Sequence, residues 1–197
     1  MGRTKSPSPK SSRPSARERI LVAASDLFYR EGVQNVGIDR IIAESGVAKM
    51  SLYNHFKSKD ALITAWLQQR DDDWRTWFVA RVEALATEPG DRLLAVFDVL
   101  QEWFERPDFR GCAFINSTVE LVDPEHPGYQ VAIRHQQTIF DYLLSLVEAA
   151  ESLQPKLLAQ QLLILVEGAI VIAMMQGSPE AAKQAKQAAA VLMAQSH

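Results

Sequence analysis

Between Ala48 and Lys59 the chain sets out Lys49, Ser51, Tyr53, Asn54, His55, Lys57 and Lys59, a stretch dense in hydrogen-bond donors. Such side chains suit phosphate oxygens and base edges. Lys49 can pair with a phosphate or a guanine edge, Ser51 with either, and Ala48 or Met50 can meet a thymine methyl. Tyr53, His55 and Lys57 or Lys59 can donate to phosphates on either side. Enzyme chemistry has no comparable cluster. The glycines form no G-x-G-x-x-G or phosphate loop, and G-x-S-x-G and H-E-x-x-H are absent. His126, His135 and His197 have no ligand spacing. The expectation is no catalytic residue, no metal and no cofactor.

Groups of this kind need a rigid support. A short helix fits 38–45 with Ile38, Ile41 and Ile42 on its buried face, and a second fits 48–55 with Leu52 inward and Phe56 just beyond. Gly46 between them can take the φ > 0 turn that sets a sharp angle, and Val47 and Leu52 plug that angle. This is the layout of a helix-turn-helix, whose second helix enters the DNA major groove. Ahead of it, Ser15-Ala16-Arg17-Glu18 forms a capping box, followed by Ile20, Ala23, Ala24, Leu27 and Phe28 on one face and Gly32 at the end. Ser58 caps a long fourth helix reaching about residue 86, with Asp60 against its N-terminal dipole.

Beyond Pro89-Gly90, read as a break, five further helices fit 91–105, 113–122, 127–151, 154–176 and 180–195. No segment alternates with period two, so the fold class is all-α. The charge divides in the same place as the motif. Residues 1–60 carry 11 Lys and Arg against 6 Asp and Glu, a net of +5; residues 61–197 carry 10 against 18, a net of −8. A basic head favours a polyanion, and an acidic body argues against coating nucleic acid along the whole surface. Three segments are expected: a disordered basic arm (1–14), a helix-turn-helix DNA-binding domain (15–60) and a helical effector-binding and dimerisation domain (61–197). Arg3, Lys5, Lys10 and Arg13 of the arm would add salt-dependent affinity. No apolar leader precedes the arm, so a cytoplasmic location is expected.

The eighth helix is apolar nearly all round and approaches the ~20 residues of a membrane span. Gln160, Gln161, Glu167 and Gln176 interrupt it, so the reading is one face on the core and the other on a partner chain. Bulky groups in the body suggest a small-molecule pocket lined by some of Trp66, Trp103, Phe104, Phe114, Asn116, Phe140, Met174 and Met175, though the same residues could simply fill a core. Glu167 could hold a cationic effector, pair with an arginine or reach the interface edge, the last two being favoured. Cys112 reads as a small packing group, with a redox-sensing thiol as the alternative. Asp71-Asp72-Asp73 is expected to face solvent.

From about residue 17 to 62 the chain closely resembles the DNA-binding domain of the TetR (tetracycline repressor-like) family of bacterial transcription regulators. The resemblance rests on Gly46-Val47, Leu52-Tyr53, His55-Phe56 and Ser58-Lys59-Asp60-Ala61-Leu62, preceded by Ala23-Ala24, Leu27-Phe28 and Gly32. Gly37 departs from the pattern, standing where the family often has a Thr or Ser cap, and glycine caps nearly as well. The resemblance implies that Lys49, Ser51, Tyr53, Asn54 and His55 face DNA. It also implies that Lys59 touches the backbone and that Arg17 or Arg19 meets phosphate. It further implies a homodimer, here through the eighth and ninth helices, that leaves a pseudo-palindromic double-stranded operator when an effector binds, most often as a repressor. A non-specific architectural DNA binder and an all-α enzyme remain the rival readings.

Overall fold

The capping box is closed in the computed structural model, which describes residues 14–196. The Ser15 hydroxyl accepts from the Glu18 amide at 3.2 Å, and the Glu18 carboxylate accepts from the Ser15 amide at 2.7 Å. This starts α1 (Ala16–Glu31). α2 (Ile38–Ser45), α3 (Lys49–His55) and α4 (Lys59–Leu85) follow, then α5 (Pro89–Phe104), α6 (Ala113–Leu121), α7 (Pro127–Ala149), α8 (Pro155–Gln176) and α9 (Glu180–Ala194). There is no strand among the described residues. The expected arm lies almost wholly outside them.

The head is built on one small core. Ile20, Ala24, Leu27 and Phe28 of α1 meet Ile41 of α2, Leu52 of α3, Phe56, and Leu62 and Ile63 of α4, all buried. At ~1.5 Å per residue, the 27-residue α4 is about 40 Å long and runs unbroken across residue 60. Its first turns belong to the head. Its later turns, carrying Phe78 and Val82, pack on α5 and α7. Head and body therefore share one rigid element.

Pro89 opens α5 instead of preceding it, so the helix begins two residues before the expected start. Proline fits the first helical position because its missing N–H had no intrahelical partner there and its φ is already helical. The Asp triplet also differs from expectation. Asp72 and Asp73 are exposed, but Asp71 turns inward and pairs with the buried His135 of α7 at 2.6 Å. α8 is long and apolar enough to cross a membrane by length and composition. Here Leu158, Leu162, Val166 and Ile170 are buried in the body, while Leu157, Ile164, Ile172 and Met175 are exposed along its outer side.

Candidate nucleic-acid interface and body cavity

The turn between α2 and α3 rests on Gly46, at φ 61° and ψ 31°, a left-handed conformation that costs any other residue about 1–2 kcal/mol. Its amide donates to the Ile42 carbonyl at 3.0 Å. Arg19 reaches over from α1, its Nη2 donating to the carbonyls of Ser45 at 2.5 Å and Gly46 at 2.8 Å. A cation on those carbonyls satisfies the C-terminal end of α2 and fixes the angle to α1. Arg40 adds a two-pronged bond to the Glu31 carboxylate at 2.5 and 2.9 Å, tying α2 to the end of α1.

With Leu52 buried, the opposite side of α3 is free. Met50, Tyr53 and Asn54 are exposed away from Leu52, Lys49 and His55 are exposed on its flanks and Ser51 is half-buried, so a donor surface lies on one short helix. Lys49 meets the Asp39 carboxylate at 3.0 Å, which holds its ammonium above the usual lysine value and keeps it charged. Both partners are solvent-exposed. Lys59 donates to the Gln34 carbonyl at 3.4 Å. Arg17 is exposed, with its guanidinium carbon 5.4 Å from the Phe56 ring centre. Of the eight residues singled out in the sequence, Arg17, Lys49, Tyr53, Asn54 and His55 are exposed, and Ser51 and Lys59 are half-buried. The eighth, Arg19, has its guanidinium engaged inside the head.

The body encloses a small cavity of about 10 Å³ between α4 and α8, lined by Arg70, Trp74, Trp103, Cys112, Phe114, His135 and Glu167, among others. Of the expected lining residues, Trp103 and Phe114 are here. Trp66 is at the head–body seam, its Nε1 donating to the Ser25 hydroxyl at 3.2 Å. Phe104 packs on Phe109 with ring centres 4.9 Å apart, Asn116 donates to the Arg110 carbonyl at 3.1 Å, and Phe140 is half-buried against the core. Met174 sits beside Gly111, and Met175 is 74% exposed. Arg70, Trp74 and His135 were missed as lining residues. The 66-70-74-78 spacing on α4 was the available signal for the first two.

Two of the lining groups have shifted acidity. Burial pushes the Cys112 thiol up to about 12, so it is a thiol and not a thiolate at neutral pH, which argues for packing over redox sensing. Burial also raises the Glu167 carboxyl. His135 stacks on Phe114 with ring centres 3.7 Å apart and is held by Asp71, whose carboxyl that bond lowers.

The cavity wall is wired to the head. Tyr29 of α1 accepts from the Arg110 amide at 2.9 Å and donates to the Gly111 carbonyl at 3.0 Å, just before Cys112. Burial raises the pKa of that phenol, which keeps its proton for the bond. At the other end of α6, the Glu120 carboxylate accepts from the Gln34 amide at 2.9 Å, and the Gln34 side chain donates to the Glu120 carbonyl at 3.2 Å. Gly32 makes this approach possible: it lies at φ 85°, and a Cβ there would sit 2.8 Å from the Glu120 carboxylate oxygens.

Known proteins resemble this chain in sequence and fold. The family model for bacterial regulatory proteins of the tetR family matches residues 20–66, and that for the tetracyclin repressor-like C-terminal domain matches residues 89–189. The HTH-type transcriptional regulator YjdC of Escherichia coli (strain K12) is 25% identical over 157 residues, covering 78% of this chain and 81% of that protein. The HTH-type transcriptional repressor DhaR of Mycobacterium sp. (strain GP1) is 27% identical over 166 residues, covering 81% and 82%. The crystal structure of SCO4454, a TetR-family transcriptional regulator from Streptomyces coelicolor, superimposes with a TM-score of 0.84 at 31% identity, covering 92% of this chain and 95% of that one. The chain belongs to the tetR family of bacterial regulatory proteins and is a helix-turn-helix DNA-binding transcription regulator.

Proposed function

We propose that this regulator is a cytoplasmic repressor that grips a pseudo-palindromic operator as a homodimer and lets go when a small molecule enters the body cavity. The observation that carries the reading is the α3 surface: Lys49, Tyr53, Asn54 and His55 exposed on a helix whose other side is locked into the head core. One α3 per protomer, set about 34–36 Å apart or somewhat more, would enter successive major grooves on one side of the duplex. Lys59 and Arg17 flank this surface and would meet phosphates. Arg19 would support it by holding α2.

Dimerisation through α8 and α9 is supported by the exposed apolar row Leu157, Ile164, Ile172 and Met175 on α8, with Val191 beside it on α9. These positions would be covered by the same row of a second copy, an isologous contact. Effector release is supported by α6. Its nine residues span about 13 Å, with Cys112 and Phe114 at the cavity end and Glu120 holding the head at the other. A molecule that parts Phe114 from His135 of α7 would shift α6, and with it the loop between α1 and α2. The operator-competent population falls only by as much as the effector prefers the shifted state.

Selecting fragments from a random DNA pool with the purified protein tests the reading. The expected result is one enriched site with two inverted half-sites. Recovery of unrelated sequences at fixed salt points to a non-specific binder instead.

A further inference from the structure

We propose that the body cavity takes a small organic cation with an aromatic or apolar frame, its ammonium or amidinium group set against Glu167. The proposal rests on the reading of this cavity as the effector site and adds the chemistry of what enters it.

Glu167 lies in the middle of the most apolar helix of the molecule, and its Oε2 is closed off from solvent with no hydrogen-bond partner. No Lys, Arg or His lies within ion-pair distance of it among the described residues, so the pairing expected for it is absent. This oxygen is shut off from solvent although the residue as a whole is half-buried. The other charged lining group, Arg70, has its guanidinium carbon 3.8 Å from the centre of the Tyr29 ring, on the head side. A carboxyl with one oxygen closed off from water and unpartnered is costly to ionise, and a cation supplied from outside offsets that cost.

The rest of the wall suits such a guest. Trp74 and Trp103 meet edge to face with centres 5.4 Å apart, and Phe114 lies opposite on α6. Indole and phenyl faces attract cations, most strongly where water is excluded. The remaining polar groups are few: the Trp74 Nε1, which has no partner, the Cys112 thiol, and His135, already engaged by Asp71. Among these, Glu167 is the one group able to neutralise a positive charge, and it repels an anion.

Size narrows the class further. A second recess of about 110 Å³, lined by Cys112, Phe114, Ile115, Tyr129, His135 and Glu167, adjoins the inner space from the α6–α7 side. The two together approach the ~150 Å³ that admits one benzene ring. A guest with a single ring and a short aminoalkyl arm matches this, with its nitrogen at Glu167 where the two spaces meet.

Three probes of equal frame and different charge test the proposal on the unmodified full-length protein: 2-phenylethylammonium, 2-phenylethanol and phenylacetate. Binding is followed by tryptophan fluorescence, which Trp74 and Trp103 report, and by the thermal midpoint. The ammonium is expected to bind about tenfold or more tightly than the alcohol, with phenylacetate weakest, as a charge-assisted bond requires. In Glu167→Gln, shown to be folded by its helical circular dichroism, the ammonium's advantage is expected to vanish. Equal binding of ammonium and alcohol by the unmodified protein overturns the cation assignment and leaves the cavity reading standing, as does an advantage that survives Glu167→Gln. No response to any of the three at millimolar concentration overturns both. The charge series is read on the native chain, so a misfolded variant does not shelter the proposal.

Discussion

Lys49 and Tyr53 stand on the exposed side of α3, and neither contributes to the head core. Lys49→Ala and Tyr53→Ala are therefore expected to abolish operator retardation with an unchanged thermal midpoint, because exposed substitutions away from caps and cores leave stability nearly intact. Arg19→Ala should do the reverse. It removes two charge-assisted bonds to the end of α2 and should lower head stability by about 1–2 kcal/mol in urea denaturation, with DNA affinity falling as a consequence. Burial that holds the Cys112 thiol at about 12 predicts negligible reaction with a disulfide reagent until the protein unfolds; rapid native modification would contradict the packing role. The sequence distinguished these residues unevenly. Lys49 and Tyr53 could be placed because helical spacing around Leu52 decides which side of α3 faces out. Arg19 could not, since its partners are backbone carbonyls twenty-six and twenty-seven residues away that only the fold brings near.

Helix boundaries were legible wherever a cap or a left-handed glycine marks them, as at Ser15, Gly46 and Ser58. Pro89 was harder to read, because proline ends one helix and begins another by the same geometry. Faces were legible in α1 and α2, which bury a single stripe. They were not in α4, whose first turns pack in the head and whose later turns pack in the body, so no one stripe runs its length. α8 was also ambiguous: apolar on every side, it hid that Met175 faces out while Val166 and Ile170 face in. The cavity was legible only in part: Trp103 and Phe114 were expected in its wall, but Arg70, Trp74 and His135 were not, since its lining comes from five helices. The clamp between α4 and α7 makes a prediction at this scale. The His135 bond holds the Asp71 carboxyl below its usual value, so its contribution is present above about pH 4 and is lost as pH falls through the folded value. Asp71→Asn should lower the thermal midpoint at pH 7, and the gap from wild type should narrow as the pH is taken down below about 4. A gap that is constant with pH would contradict an ionic role for the pair.

The molecule as a whole joins a basic head to an acidic body through one continuous helix, and it presents an apolar row on α8 with no partner in the single chain. Ile164 is 64% exposed at the middle of that row. Ile164→Lys is expected to halve the mass measured in solution and to weaken operator binding steeply, since two linked heads gain from effective concentration and one does not. An unchanged dimer mass would move the interface elsewhere. The account depends most on the α3 surface reading base edges. It is tested most directly by electrophoretic retardation of the selected operator at fixed salt, comparing wild type with the two α3 alanine variants and with an unrelated duplex as competitor. The predicted result is retardation by wild type that the unrelated duplex does not displace, and none by either variant. Retardation that persists in both variants, or yields equally to any duplex, would contradict it.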